Sequence, residues 1–443
     1  MSTMLITARY LITPTDHGVK VIEHAGIVID ERGLITAVNS AEVLINKGEF
    51  TTRVDLHNHI LAPGLVNAHC HAAMTLLRGA ADDLPLERWL TERIWPMEGA
   101  LVDEHFVHVG TQLAAVEMLL GGTTTCVDMY FYSKAAALSF LSLGQRAVLA
   151  LPVIDFPTRY AADVDAYITT GLQVRDEFAG EPLLSFALAP HAPYTAADST
   201  FQKVLAYANE LGIPIHTHLQ ETAQEVGDAL AQTGERPTAR LARLGVLSPD
   251  FFAAHGVHLD ATDIATLAQH SASVVHCPSS NLKLASGMAP IAALLKAGVN
   301  VGLGTDGAAS NNRLDMFEEM RLAALIGKVQ SNDASAVSAA QAFTMATLGG
   351  ALASGIGNRV GSLETGKAAD MIAVSLDAPG MQPLFDPVSH FVYAASRADV
   401  THVWVAGQPR VTASVPSAAI ARAMAELPSQ ILQFTERVNA LRD

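Results

Sequence analysis

Two histidines one residue apart, His69-Cys70-His71, end an apolar run, GLVNAH, that begins just after Pro63. On an extended strand, side chains two apart leave the same face, so both imidazoles can grip one ion while Cys70 faces elsewhere. A lone strand histidine is more often a hydrogen-bonded core residue; this spacing favours a metal. The pattern recurs at His216-Thr217-His218, where at most one residue is needed to complete a three-histidine set. Asp306 follows VGLGT and precedes Gly307. A buried, unpaired carboxylate there would be costly, and service as a metal ligand or base removes the cost. The competing reading makes it a helix cap. Glu221 lies three residues beyond His218, placed either to overhang a substrate or to sit in the first turn of a helix.

Such residues need elements that bring them together. Eight apolar, β-branched runs can be counted: GLVNAH, TTTCVDM, RAVLALPV, LLSFALAP, IPIHTH, FFAAHGV, ASVVH and VNVGLGTD. Stretches of helical period separate them, among them 104–120, 162–178 and 200–211. Near-continuous apolar strands alternating with helices predict a parallel sheet buried on both faces and closed into a (β/α)8 barrel. An open doubly wound sheet is disfavoured, because no glycine-rich GxGxxG turn follows an early strand. His69 and His71, His191, His216 and His218, His255, His276 and Asp306 all fall at or near strand ends, and the C-terminal ends of barrel strands converge on one face. The first sixty residues and the runs ADMIAVSLD and THVWVAGQPRV alternate apolar with polar, with turns at Glu31-Arg32-Gly33 and Gly407. Neither end can bury a core alone, so both are expected to pair into one small β-sandwich. The expected organisation is residues 1–62 and 361–443 for the sandwich and a terminal helix, and 63–360 for the barrel; the helix is expected after Pro428.

Half of the 443 residues are apolar and 16% are charged, which suits a large buried core. A net charge of −16 argues against nucleic acid, whose phosphates need a clustered basic surface. No run of 18 apolar residues exists, so no membrane span is expected, and the first residues do not read as a signal peptide. Three scattered cysteines (Cys70, Cys126, Cys277) read as reduced thiols of a cytoplasmic protein. The Ala/Leu/Met-rich helices serve an outer ring or a subunit contact, and a homo-oligomer is expected.

The segments PGLVNAHCHAAMTLLRG, HTHLQET, AAHGVHLD, SSNLKLASGMAPI, GLGTDGAASNN and the late GSLETGKAADMIAV resemble the amidohydrolase superfamily. Within it they resemble the branch of 5-methylthioadenosine/S-adenosylhomocysteine deaminases, along the whole chain. The resemblance implies that His69, His71, His218 and Asp306 hold one zinc ion per subunit, leaving His216 without a family role. No lysine ends strand four, which implies a mononuclear site. Glu221 matches the proton-donating glutamate and His255 the histidine beside the attacking water; Asp306 shares in taking the proton. Trp89 and Glu98 match the loop that covers the nucleoside, with Glu98 accepting from ribose hydroxyls, and His191 another substrate contact. Arg159, in FPTRY, is a looser match to an arginine near the substrate tail. The implied reaction is hydrolytic deamination of the adenine ring of methylthioadenosine, S-adenosylhomocysteine or adenosine. The alternatives are a hydrolase of guanine-type bases or triazines on the same scaffold, and a catalytically silent nucleoside-binding barrel.

Overall fold

The structure, a computed structural model, describes residues 3–46 and 48–442. Four strands open the chain: β1 (Met4–Thr15), β2 (Gly18–Ile29), β3 (Ile35–Ser40) and β4 (Thr52–Pro63). Eight more follow, each at one of the expected apolar runs: β5 (Leu65–Cys70), β6 (Thr123–Asp128), β7 (Arg146–Val153), β8 (Leu184–Pro190), β9 (Ile215–Leu219), β10 (Phe251–His255), β11 (Ser273–His276) and β12 (Val301–Leu303). These eight pair in chain order, every neighbour parallel. Alternation along the strands sorts their side chains into two cores. Val66, Ala68, Val127, Val148, Ala150, Ala187 and Phe252 meet in one cluster. Their neighbours Leu65, Cys126, Leu149, Leu188 and Ala253 join helix residues such as Phe106 and Phe140 in another. A sheet buried on both faces and wrapped by helices is the expected barrel.

The seam between the first and last barrel strands is joined across backbone and side chains. Asp306 N–H donates to His69 O at 3.0 Å, Thr305 N–H to Asn67 Oδ1 at 2.9 Å, and Asn67 Nδ2 to Thr305 Oγ1 at 2.8 Å. Gly304 allows this approach, since a Cβ there would stand 2.8 Å from both the N and O of His69. The seam therefore brings the HxH strand and the Asp306 strand side by side.

The expected pairing of the termini is present. β13 (Met371–Ser375), β14 (Val400–Val405), β15 (Gln408–Thr412) and β16 (Val415–Pro416) join the first four strands in the order β16-β15-β14-β13-β4-β1-β2-β3. The sheet folds back on itself: Gly33, in the β2–β3 turn, sits so close to the β14–β15 turn that an added Cβ would meet Ala406 O at 1.9 Å. Ile6, Ile27 and Ile35 from the N-terminal part share a core with Met371 and Trp404. The terminal helix is longer than expected, running Ala418–Arg442 with Pro428 inside it. Burial explains this: Ile420, Ala423, Leu427, Phe434 and Val438 are buried along it, enough to offset the roughly 3 kcal/mol cost of an interior proline. Phe434 stacks edge-on against Phe106 of the Glu104–Leu120 helix, centroids 5.3 Å apart, so this helix packs on the barrel. Among the described residues, no helix is long and apolar enough to cross a membrane.

Candidate active site

β5 delivers His69 and His71 to the C-terminal face, β9 delivers His218, and the turn after β12 delivers Asp306. Their ligating atoms converge. His69 Nε2 lies 3.4 Å and His71 Nε2 3.2 Å from Asp306 Oδ1, and His218 Nε2 lies 3.4 Å from His71 Nε2. Ligands of a tetrahedral zinc, with bonds near 2.0–2.1 Å, stand about 3.3 Å from one another. That spacing suits ligands of one ion, and His69, His71 and Asp306 group within 4.8 Å of one another.

Protonation supports the fit. His71 Nδ1 donates to Met129 O at 2.6 Å and His218 Nδ1 to His191 O at 2.7 Å. A carbonyl only accepts, so each Nδ1 carries the proton and each neutral ring turns an Nε2 lone pair to the same point. Two facing lone pairs repel unless a cation lies between them. Buried His69 Nε2 likewise finds no hydrogen-bond donor among the described residues. Burial would lower His71, but Asp306 drives it up to about 9. Asp306 itself, which burial would raise, is held well below the carboxylate range by His69 and His71. Its Oδ2 accepts from Ser280 Oγ and Ser310 Oγ, both at 2.7 Å, which turns Oδ1 toward the histidines.

Glu221 and His255 lie beside this cluster. Glu221 Oε2 is 3.6 Å from His255 Nε2, and burial pushes the Glu221 carboxyl up, with Asp306 adding and His255 opposing. His255 Nδ1 donates to Asn281 Oδ1 at 2.8 Å, leaving Nε2 as a base. His69, His218 and His255 form a second convergent trio of nitrogens, so position alone admits His255 as ligand or base. Gln220, His255 and Asp306 hold positive φ of 50°, 73° and 59°, strain that gathers at these strand ends. Glu225 accepts from the backbone N–H of both Gln220 and Glu221 at 2.8 Å, fixing the turn that carries Glu221.

One cavity of about 290 Å³ is lined by every sequence-predicted site residue except His69, which is fully buried behind it. Trp89 and Glu98 lie on a helical roof, Leu86–Leu101, rather than the expected loop; it runs through a π turn at Leu90–Ile94 just before Pro96. Trp89 Nε1 donates to Ala81 O at 3.0 Å. Glu98 Oε1 accepts from Tyr130 Oη at 2.6 Å, and burial pushes its carboxyl up against that bond. His191 lies 2.9 Å by Nδ1 from Thr195 Oγ1, its pKa lowered by burial to about 3. Arg159 is exposed at the mouth, with Nη1 on Ala100 O at 3.3 Å. Sequence reasoning passed over Tyr130, Ser280, Ser310 and Asn281. Their signal was their place just beyond the ends of β6, β11 and β12, where a barrel gathers polar groups.

Residues 60–410 match the Amidohydrolase family. A 5-methylthioadenosine/S-adenosylhomocysteine deaminase from Teredinibacter turnerae is 47% identical over 390 residues, 88% of each chain. The structure of an adenosine deaminase from Xanthomonas campestris with bound zinc superposes with a TM-score of 0.96 at 44% identity, covering 99% of both chains. An atrazine chlorohydrolase from Arthrobacter aurescens, complexed with zinc, gives a TM-score of 0.89 at 25% identity, covering 97% of this chain and 100% of the other.

Proposed function

The chain belongs to the amidohydrolase family, and from that premise we propose that it hydrolytically deaminates the adenine ring of 5'-methylthioadenosine, S-adenosylhomocysteine or adenosine, yielding the inosine-type product and ammonia. The observation that carries the reading is the meeting, around one cavity and the buried His69 behind it, of Asp306 and three imidazole lone pairs with the Glu221–His255 pair. Glu98, one tyrosine away from the His71 ring, supplies what a ribose requires.

His69, His71, His218 and Asp306 would hold one zinc per chain. Bound there, zinc supplies Lewis acidity that lowers the pKa of a water from 15.7 to roughly 7. Asp306 Oδ1 and His255 Nε2 take the proton of the attacking water and orient its oxygen toward C6 of the ring. Electron density moves onto N1, where protonated Glu221 delivers a proton; such transfer is worth about 10²–10⁴-fold. Enclosure raises the Glu221 carboxyl, which favours its neutral, donating form. The proton collected from water passes to the departing amine, C6–N breaks and ammonia leaves, and the remaining hydroxyl proton returns to Glu221 as the C6 carbonyl forms. Glu98 accepts from the ribose hydroxyls, His191 and Trp89 flank the nucleoside, and Arg159 stands near the tail. A cytoplasmic location fits three free, buried cysteines, and the protein is proposed to act as a homo-oligomer.

The test is a substrate panel. Zinc-loaded protein is incubated with methylthioadenosine, S-adenosylhomocysteine, adenosine, guanine and a chlorotriazine while ammonia and chloride are followed. Ammonia from the adenine nucleosides is the expected result; chloride from the triazine alone overturns the substrate assignment.

A further inference from the structure

Two of the three histidine ligands have their tautomer set by the backbone: His71 by Met129 O and His218 by His191 O. His69 has no such carbonyl. Its Nδ1 lies 2.8 Å from Nε2 of His216, whose own Nδ1 lies 3.0 Å from Phe252 O. The carbonyl cannot donate, so the Nδ1 of His216 carries the proton there. A neutral imidazole has one N–H, which leaves His216 Nε2 as an acceptor and His69 Nδ1 as its donor. His69 must then offer an unprotonated Nε2 to the point where the other lone pairs meet. His216 is itself clamped, fully buried and stacked on the Phe252 ring at 4.1 Å with an interplanar angle of 11°.

We propose that His216 is a positioning residue of the metal centre: the relay Phe252 O, His216, His69 fixes the tautomer and ring angle that make His69 a ligand. It follows that His69 is the one histidine ligand whose orientation depends on a replaceable side chain. Without that acceptor, His69 can carry its proton on Nε2, which blocks ligation. A residue that merely filled the core would need no acceptor nitrogen there. The proposal rests on the zinc site described above.

The test compares wild type with His216→Phe, which keeps a ring over Phe252 but removes the acceptor, and His216→Gln, which restores an oxygen near the Nε2 position. Zinc affinity is measured by chelator competition, and the visible absorption of the cobalt-substituted proteins reports ligand geometry. Loss of such an outer partner typically costs 10–100-fold in metal affinity. His216→Phe is therefore expected to bind zinc about 10–100-fold more weakly with an altered cobalt spectrum, and His216→Gln to recover most of both. Wild-type-like binding by His216→Phe, or a glutamine variant no better than phenylalanine, overturns the proposal. If His216→Phe does not fold, His216→Asn, too short to reach His69, replaces it: weaker zinc than in His216→Gln supports the relay, and equal affinity overturns it. A wild-type chain that holds no zinc instead overturns the metal reading itself, and the relay with it.

Discussion

At the floor of the cavity, His71 and His218 are tied by Nδ1 to backbone carbonyls and Asp306 Oδ2 is held by two serines. At the roof, Glu98 hangs from a helical segment by one bond to Tyr130, and Arg159 touches one carbonyl from an exposed position. The difference assigns the work. Groups proposed to meet the reacting atoms sit at barrel strand ends and are held by hydrogen bonds, as a preorganised site requires. Groups proposed to meet the sugar and its tail sit on connections, which tolerate change without disturbing the chemistry.

Substitutions at the two levels should therefore have different signatures. Glu221→Gln, at the floor, should lower kcat by about 10²–10⁴-fold while elemental analysis finds zinc retained; near-normal turnover removes Glu221 as the donor. Glu98→Gln, at the roof, weakens charge-assisted bonds worth about 1.5–3 kcal/mol, so kcat/KM for nucleosides should fall roughly 10–100-fold, mostly through KM. Any turnover of free adenine, which has no ribose, should stay unchanged. Equal losses on both substrates would place Glu98 in the chemistry and erase the distinction. Tyr130→Phe deletes the hydroxyl that orients Glu98 and should raise nucleoside KM about 2–10-fold with kcat preserved. Arg159→Ala should be smallest, with little change for methylthioadenosine and a few-fold loss for S-adenosylhomocysteine, whose tail carries a carboxylate. A large loss with both would move Arg159 from the mouth into the reaction.

The floor was readable in the sequence because its residues obey the strand period. His69 and His71 share a face, each apolar run ends at its polar residue, and the parallel barrel makes those ends meet. Spacing alone could not choose between His216 and His218, since both point the same way; the resemblance named His218, and the Nδ1 partners show what His216 touches instead. The roof was less readable. The resemblance places Trp89 and Glu98 of WLTERIWPME on a loop, whereas Leu86–Leu101 forms helical turns with a π turn just before Pro96. Tyr130, Ser280 and Asn281 are marked in the sequence only by lying just beyond strand ends. They act only through what the fold sets beside them, as Pro428 is carried only by the apolar face that its helix buries against the barrel.

The central claim is that one zinc, held by four residues, drives the deamination. Its most direct measurement adds zinc stepwise to chelator-stripped protein and follows ammonia release from methylthioadenosine or adenosine. Activity should be nearly absent at the start, rise linearly, and level off at one equivalent per chain. Full activity in the stripped protein, or a rise that continues to two equivalents, would contradict it.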